Sequence, residues 1–245
     1  MNAEVTHILR HPIKSHGREA VQTVTVTPGQ TMPGDRVWAV AHEASTADGS
    51  QWEPCASFSR GAKAPQLMAI SSRLDGDTMT LTHPDRPDLT FDPDKDQQEF
   101  LDWVQALMPT DRAASARIIR VPGRGMTDSD YPSISLCNMA SHRAVEQKLG
   151  RDLSIQRWRG NIWFDGLPLW EEFDWLNREV QVGEAVFRVR ERTTRCLATT
   201  ANPETGVRDA DTLGALSSWG HQDFGVYAEV VRGGEISVGD KVHLL

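Results

Sequence analysis

Cys196 closes the run RVRERTTRC, with Arg190, Arg192 and Arg195 close behind it in sequence. A thiol among cations is favoured as thiolate, and thiolate is the form that ligates soft metals. The run before it reads as a strand and the ANPETG that follows as a turn, so this sulfur belongs at a strand end. The chemistry suggested is metal ligation or sulfur transfer. A buried packing cysteine fits the same spacing, since free cysteine is among the most buried residue types. Cys55 and Cys137 add no CxxC, which excludes zinc ribbons and thioredoxin-like redox motifs. Three scattered cysteines cannot hold an iron–sulfur centre within the chain. They argue against a disulfide framework and give the expectation of a reducing, cytoplasmic setting.

Other chemistries fall away on inspection. DPDKDQQE resembles the opening of a calcium loop, but Gln97 stands at its sixth position and Trp103 at its twelfth, where glycine and glutamate are needed. GxGxxG, Walker-A and GxSxG sequences are absent. His7, His11 and His16 lie close together, yet on a strand their spacing does not put all three on one face. Solvated or hydrogen-bonded histidines are expected there rather than a metal site. Lys and Arg total 26 against 34 Asp and Glu, a net charge of −8. Such a chain is a poor nucleic-acid binder, because phosphate neutralisation drives that binding. A few local arginines can still hold a small anion.

The elements that must position these residues are mostly strands. With 245 residues, 39% of them hydrophobic and a mean hydropathy of −0.45, the chain can bury a sizeable core in an aqueous setting. Its apolar runs fall short of the roughly 18 to 20 residues a membrane span needs. The opening MNAEVTHILRHPIKS lacks the apolar core of a secretory signal. Strands are expected over 4–9, over 20–29 where Val and Thr alternate, and over 37–43. Residues 44–64 read as a loop. QLMAISSRL and TMTLTHP form a hairpin about Asp75-Gly76-Asp77. Phe100, Trp103, Val104 and Leu107 mark a helix at about 95–108. SARIIRVP returns to strand. ASHRAVEQKLG is a second helix, with Ser141 as its N-cap and Gly150 as its C-cap. NIWFDG, VQVGEAVFRVRERTTRC, YAEVV and DKVHLL are further strands, and LPLWEEFDWLN has room for a turn or two of helix. This predicts a mainly β fold with a few helices (α+β), in two barrel-like domains, 1–95 and 96–245, with the 95–108 helix linking them.

Several of these stretches, in this order, resemble one family. RWRGNIWFDGLPLWEEFDW, VGEAVFRVRERTTRCLATTANPETG and FGVYAEVVRGGEISVGDKV resemble the MOSC domain, named for the molybdenum-cofactor sulfurase C-terminal region. HPIKSHGREA and TMPGDRVWAV resemble the β-barrel domain that precedes it in the mitochondrial amidoxime-reducing component and its bacterial relatives. The resemblance implies a molybdenum cofactor held between the two domains, with Cys196 as metal ligand. It implies cofactor contacts at Lys14 and Ser15 in PIKS, Arg36 in GDR, Arg159 and Asn161, Thr194, Arg195 and Tyr227. More loosely, it implies contacts at Asp130 and Tyr131 in GMTDSDYPS, with Asp130 a candidate proton relay. Singly, the arginines could be surface ion-pair partners, the hydroxyls turn formers and Tyr227 core packing.

What the resemblance implies for function is reduction of N-hydroxylated compounds by an external flavin or iron–sulfur donor protein. A sulfur or cofactor carrier acting through Cys196 is the alternative, and a non-enzymatic binding module a third. Relatives add a ferredoxin domain or a membrane segment, and the expectation here is a core without either. This chain departs from the family at Trp158, Gly160, Thr194 and His16, where relatives have Phe, Pro, Ser and often Cys. The tryptophans of 158–175 could line an apolar entrance or fill a barrel core, and core is the commoner fate of such residues.

Overall fold

The computed structural model describes residues 3–245. Its centre is a closed barrel of seven strands. Going round it, Ala3–Arg10 pairs with Ile162–Asp165, then come Ile134–Asn138, Asp223–Arg232, Ala185–Thr194, Glu179–Val182 and Lys241–Leu244, which returns to Ala3–Arg10. Ile162–Asp165 runs parallel to Ile134–Asn138, and the other pairings are antiparallel. Closure leaves the barrel without edges. The interior is packed by Ile8, Leu136, Phe164, Trp175, Val180, Phe187, Val189 and Val226, all buried. Barrel strands alternate inward apolar with outward polar residues, as in Glu179–Val182, where Val180 and Val182 are buried and Glu179 and Gln181 are half-buried.

The barrel is not built from C-terminal residues alone. Ala3–Arg10 supplies one of its staves, and the side chain of Asn161 ties that strand in by donating to the Leu9 carbonyl. Most residues between this strand and the next barrel strand form the other half of the molecule, while Glu19–Val21 pairs with Ala3–Arg10 and Val24, Val26 and Met32 pack with the barrel core. Trp38–His42 pairs with Ser115–Arg120, and Ser71–Asp75, Thr78–His83 and Arg86–Phe91 make a three-stranded meander. The helix Gln97–Gln105 packs Phe100, Trp103 and Val104 against this second core, beside Leu67, Ile70, Met79, Leu81 and Ile118. The fold is thus mainly β, with three α-helices among the described residues.

Locally, the helix Met139–Leu149 differs from its expected start. Asn138 is its N-cap, accepting from the Ala140 amide, while Ser141 instead donates to the buried Glu172 carboxylate. Asparagine caps as well as serine, and only the partner geometry separates them. Gly150 closes the helix at φ 65°, the left-handed conformation expected of a C-cap glycine. QLMA opens a short 3-10 turn, Pro65–Ala69, rather than the hairpin strand. The helix Thr212–Ser217 carries too short an apolar pattern to be read from sequence. Trp158, Trp163 and Trp175 are fully buried.

Candidate functional site

Where the barrel meets the second half, a cleft of about 420 Å³ opens. Lys14, Ser15, Arg36, Arg159, Thr194, Arg195, Cys196 and Tyr227 all line it, drawn from both halves of the chain. So do Cys55, Arg60, Asp128, Arg157, Glu191 and Arg192. Seven cations face two carboxylates on this wall, on a chain of net charge −8. Such a concentration attracts anions against the overall charge.

Cys196 lies two residues past the long strand Ala185–Thr194 and is the N-cap of the 3-10 turn Leu197–Thr200. It is exposed, whereas Cys137 is buried and Cys55 lies between. The pairing of Ala185–Thr194 with Asp223–Arg232 shifts register between Val189 and Glu191 and again between Arg192 and Thr194. Such bulges twist a strand and re-aim the side chains that follow, here toward the thiol's end. Thr194 donates to the Asp223 carboxylate at 2.7 Å. Arg195 spends its guanidinium on the Phe224 and Trp158 carbonyls, so it shapes the wall more than it charges it.

The floor is an ionic cluster in which His11, Lys14, Asp35 and Arg36 are buried and Asp128 is exposed. Lys14 Nζ donates to the Met126 carbonyl at 2.8 Å and to Asp128 Oδ1 at 2.5 Å. Arg36 pairs with Asp35 and donates to the Arg159 carbonyl at 3.1 Å. Asp35 also accepts from the His11 amide at 2.7 Å and from its Nδ1 at 3.1 Å. Burial works against the Asp35 charge, but Arg36 and His11 overcome it and hold the carboxyl well below its ordinary range. Burial also opposes the Asp128 charge, and Lys14 and Arg36 bring that group down to about 2. His11 falls to about 3 through burial and the nearby Arg159, so its ring is neutral at pH 7.

Arg159 is the stressed member. Burial and the adjacent Arg36 lower its pKa to about 9. One nitrogen reaches the Gly17 carbonyl at 3.2 Å, while Nη2 is buried without a partner among the described residues. Thr193 Oγ1, on the same wall, is also buried and unpartnered. Orphaned donors beside crowded cations call for an anion. The backbone is strained at the same place. Ser15, Arg36 and Arg159 adopt φ of 65°, 52° and 49°, a left-handed region non-glycine residues rarely visit. Strain of this kind gathers where a structure must hold side chains for a ligand.

A phosphate-bearing pterin with a thiolate-bound metal fits this donor set. Lys14, Arg36 and Arg159 would hold its anionic end, Ser15, Thr193 and Tyr227 its polar groups, and Cys196 its metal. Three expected contacts lie elsewhere. Asp130 is exposed and absent from the cleft lining; its carbonyl accepts from Arg124, and Asp128, two residues earlier, faces the cleft instead. Tyr131 is not itself a lining residue, though it donates to Glu191 of the cleft wall at 2.7 Å. Asn161 is buried in the barrel wall, accepting from Ser135 and donating to Leu9. The N-terminal histidines also separate: His11 and His16 are buried on different partners, while His7 is exposed.

The N-terminal residues 2–116 match the family model of the MOSC N-terminal beta barrel domain, and residues 126–243 match that of the MOSC domain. Mitochondrial amidoxime-reducing component 1 of Mus musculus is 31% identical over 130 residues, which cover 48% of this chain and 38% of that protein. Mitochondrial amidoxime reducing component 2 of Bos taurus is 23% identical over an alignment covering 98% of this chain and 82% of that protein. Among solved structures, the YUAD protein from Bacillus subtilis aligns with a TM-score of 0.48 at 11% identity, covering 99% of this chain and 94% of that one. YiiM from Geobacillus stearothermophilus aligns at 0.37 and 21% identity, covering 46% of this chain and 53% of that one. No helix among the described residues is long and apolar enough to cross a membrane. These matches associate the chain with the molybdenum cofactor. A MOSC N-terminal beta barrel domain leading into a MOSC domain makes this chain a member of the MOSC family.

Proposed function

We propose that this protein is a molybdenum-cofactor-dependent reductase of N-hydroxylated compounds, such as amidoximes, hydroxylamines and N-hydroxylated bases, supplied with electrons by a separate flavin or iron–sulfur protein. The observation that carries the reading is the exposed Cys196 thiol at a cleft lined by Lys14, Arg36 and Arg159. When bound, the cofactor supplies two-electron oxygen-atom transfer. The chain's own residues do the rest. Lys14, Arg36 and Arg159 bind and neutralise the anionic carrier, and Asp35 fixes Arg36 in place. Cys196 would ligate the metal at the exposed end of the cleft.

Loss of the substrate oxygen as water consumes two protons. Asp128 is held ionised by Lys14, so it orients that lysine and is a poor acid at pH 7. Burial raises the Tyr227 phenol, which therefore keeps its proton and can donate a hydrogen bond into the cleft. Protons reach the site through water at the exposed Cys196 side.

The test is metal and pterin analysis of protein made in a host that synthesises the cofactor, with donor-dependent reduction of benzamidoxime. Stoichiometric molybdenum with turnover, both lost in Cys196→Ala while the fold persists, is the expected result. A cyanide-labile persulfide on Cys196 without molybdenum would replace this reading with that of a sulfur carrier.

A further inference from the structure

His11 does not line the cleft, yet it supplies two of the three hydrogen bonds that the Asp35 carboxylate accepts among the described residues. Its amide donates to Asp35 Oδ1 at 2.7 Å, and its Nδ1 meets the same oxygen at 3.1 Å. The other oxygen takes the Arg36 guanidinium, which does line the cleft. The backbone doubles the link, for the Arg36 amide donates to the His11 carbonyl at 2.8 Å. Arg36 stands next to its counter-ion in sequence, at φ 52°. Such strained backbone persists only where surrounding contacts over-determine it.

The surroundings decide which ring nitrogen carries the proton. His11 is 0% and Asp35 1% exposed, so both are sealed from bulk water. Asp35 is ionised and the ring neutral at pH 7. The single ring proton therefore sits on Nδ1, since a bare Nδ1 would set its lone pair against the carboxylate. A neutral ring gives Asp35 a hydrogen bond without competing for the charge that Asp35 shares with Arg36. An imidazolium would divide that charge. Asp35 in turn restrains a guanidinium whose other hydrogen bond among the described residues goes to the Arg159 carbonyl at 3.1 Å. A buried group that locks the rotamer of a ligand-facing neighbour sharpens that neighbour's aim.

Resting on the reading that Arg36 binds the anionic end of the cofactor, we infer that His11 is a positioning residue for that contact. Its ring holds the Asp35 carboxylate, and the carboxylate aims the Arg36 guanidinium at the anion.

The experiment uses the full chain from a cofactor-synthesising host and follows pterin release after dilution by its fluorescence. His11→Leu keeps the bulk and removes the N–H, and His11→Asn restores an N–H near the place of Nδ1. Release at least tenfold faster is expected for His11→Leu, and release within threefold of the wild type for His11→Asn. Adding His11→Leu to Arg36→Gln should change release less than twofold, because there is no guanidinium left to aim. Unchanged release in His11→Leu, equal loss in His11→Asn, or a further tenfold gain over Arg36→Gln would each overturn the inference. A nitrogen-15 spectrum of the histidine-labelled wild type tests it without relying on the leucine variant to fold. The ring whose signals vanish in His11→Asn should be protonated at Nδ1, and a ring protonated at Nε2 would overturn the inference. A chain purified without pterin removes the cofactor reading, and inorganic phosphate then becomes the probe. Calorimetry should show phosphate bound at least tenfold more weakly by His11→Leu, with no further loss on adding it to Arg36→Gln. Unchanged phosphate affinity in His11→Leu would remove the positioning role as well.

Discussion

Gly160 and Cys137 occupy one volume: a Cβ built on residue 160 would lie 2.4 Å from the Cys137 sulfur. Gly160 is thus matched to the Cys137 sulfur and to the Trp163 indole, which comes within 3.2 Å of the same built Cβ. Cys137 is fully buried, and burial pushes its thiol up to about 12. Gly160→Ala is expected to cost about 1–3 kcal/mol by overpacking. Cys137→Ala opens the needed space, so Cys137→Ala/Gly160→Ala should recover most of that loss. Urea unfolding of the two single variants and the double measures the coupling. Strictly additive losses would mean that the two positions do not share space.

Lys14 predicts cofactor retention. It is 3% exposed, and among the described residues its ammonium donates to Asp128 and the Met126 carbonyl in the cleft floor. Lys14→Met keeps the bulk and removes the charge. Molybdenum and pterin per chain should fall at least tenfold from the wild-type value, with the far-ultraviolet spectrum unchanged. Full occupancy in this variant would take Lys14 out of the cofactor site.

Part of this arrangement was legible in the residues themselves. Cys196 stood out by its cations and its place at a strand end, and the long strand before it is where the alternation put it. Other features depend on contacts between distant segments. Ala3–Arg10 joins a barrel whose other staves begin at Ile134, and no local pattern announces such a pairing. TDSDY carries two aspartates two residues apart, and only the loop's path decides that Asp128 faces Lys14 while Asp130 faces away. Ser15, Arg36 and Arg159 hold left-handed backbone that their residue types disfavour, so sequence argues against the conformation that presents them.

Acid should unfold this protein through its buried histidines. Burial lowers His11 to about 3 and His16 to about 4. Their unfolded values lie near 6.5, so between 6.5 and 4 the unfolded chain binds more protons and stability falls with pH. Each histidine is worth roughly 2 kcal/mol between pH 7 and pH 5 by this linkage. Glu172 acts in the opposite sense. Burial raises it to about 7, so its protonation favours the folded state as pH drops from 7 toward its unfolded value. The raw profile mixes these terms, and the wild type is best compared with His16→Asn. The variant should lose roughly 2 kcal/mol less than the wild type between those pH values. Parallel profiles would show that His16 is not held neutral by the fold.

Arg18 joins three segments behind the cleft. Its guanidinium donates to the Met68, Ile70 and Pro203 carbonyls at 2.8, 2.7 and 2.6 Å, and to Gln156 Oε1 at 2.5 Å. Burial lowers its pKa to about 10, still charged at pH 7. Pro203 belongs to the turn that follows Cys196, and a Cβ on Gly206 in that turn would meet Gln66 Oε1 at 2.6 Å, so the turn lies close against the other half. Arg18→Met should cost about 3 kcal/mol, because charged hydrogen bonds are lost and buried carbonyls left unpaired. The distinguishing measurement is hydrogen exchange at the Thr205 and Gly206 amides, both bonded to the Asn202 carbonyl. These should exchange at least tenfold faster in the variant, beyond any change in the barrel strands. Uniform acceleration across the barrel and the turn would reduce Arg18 to a general contributor to stability, with no particular hold on the segment behind the thiol.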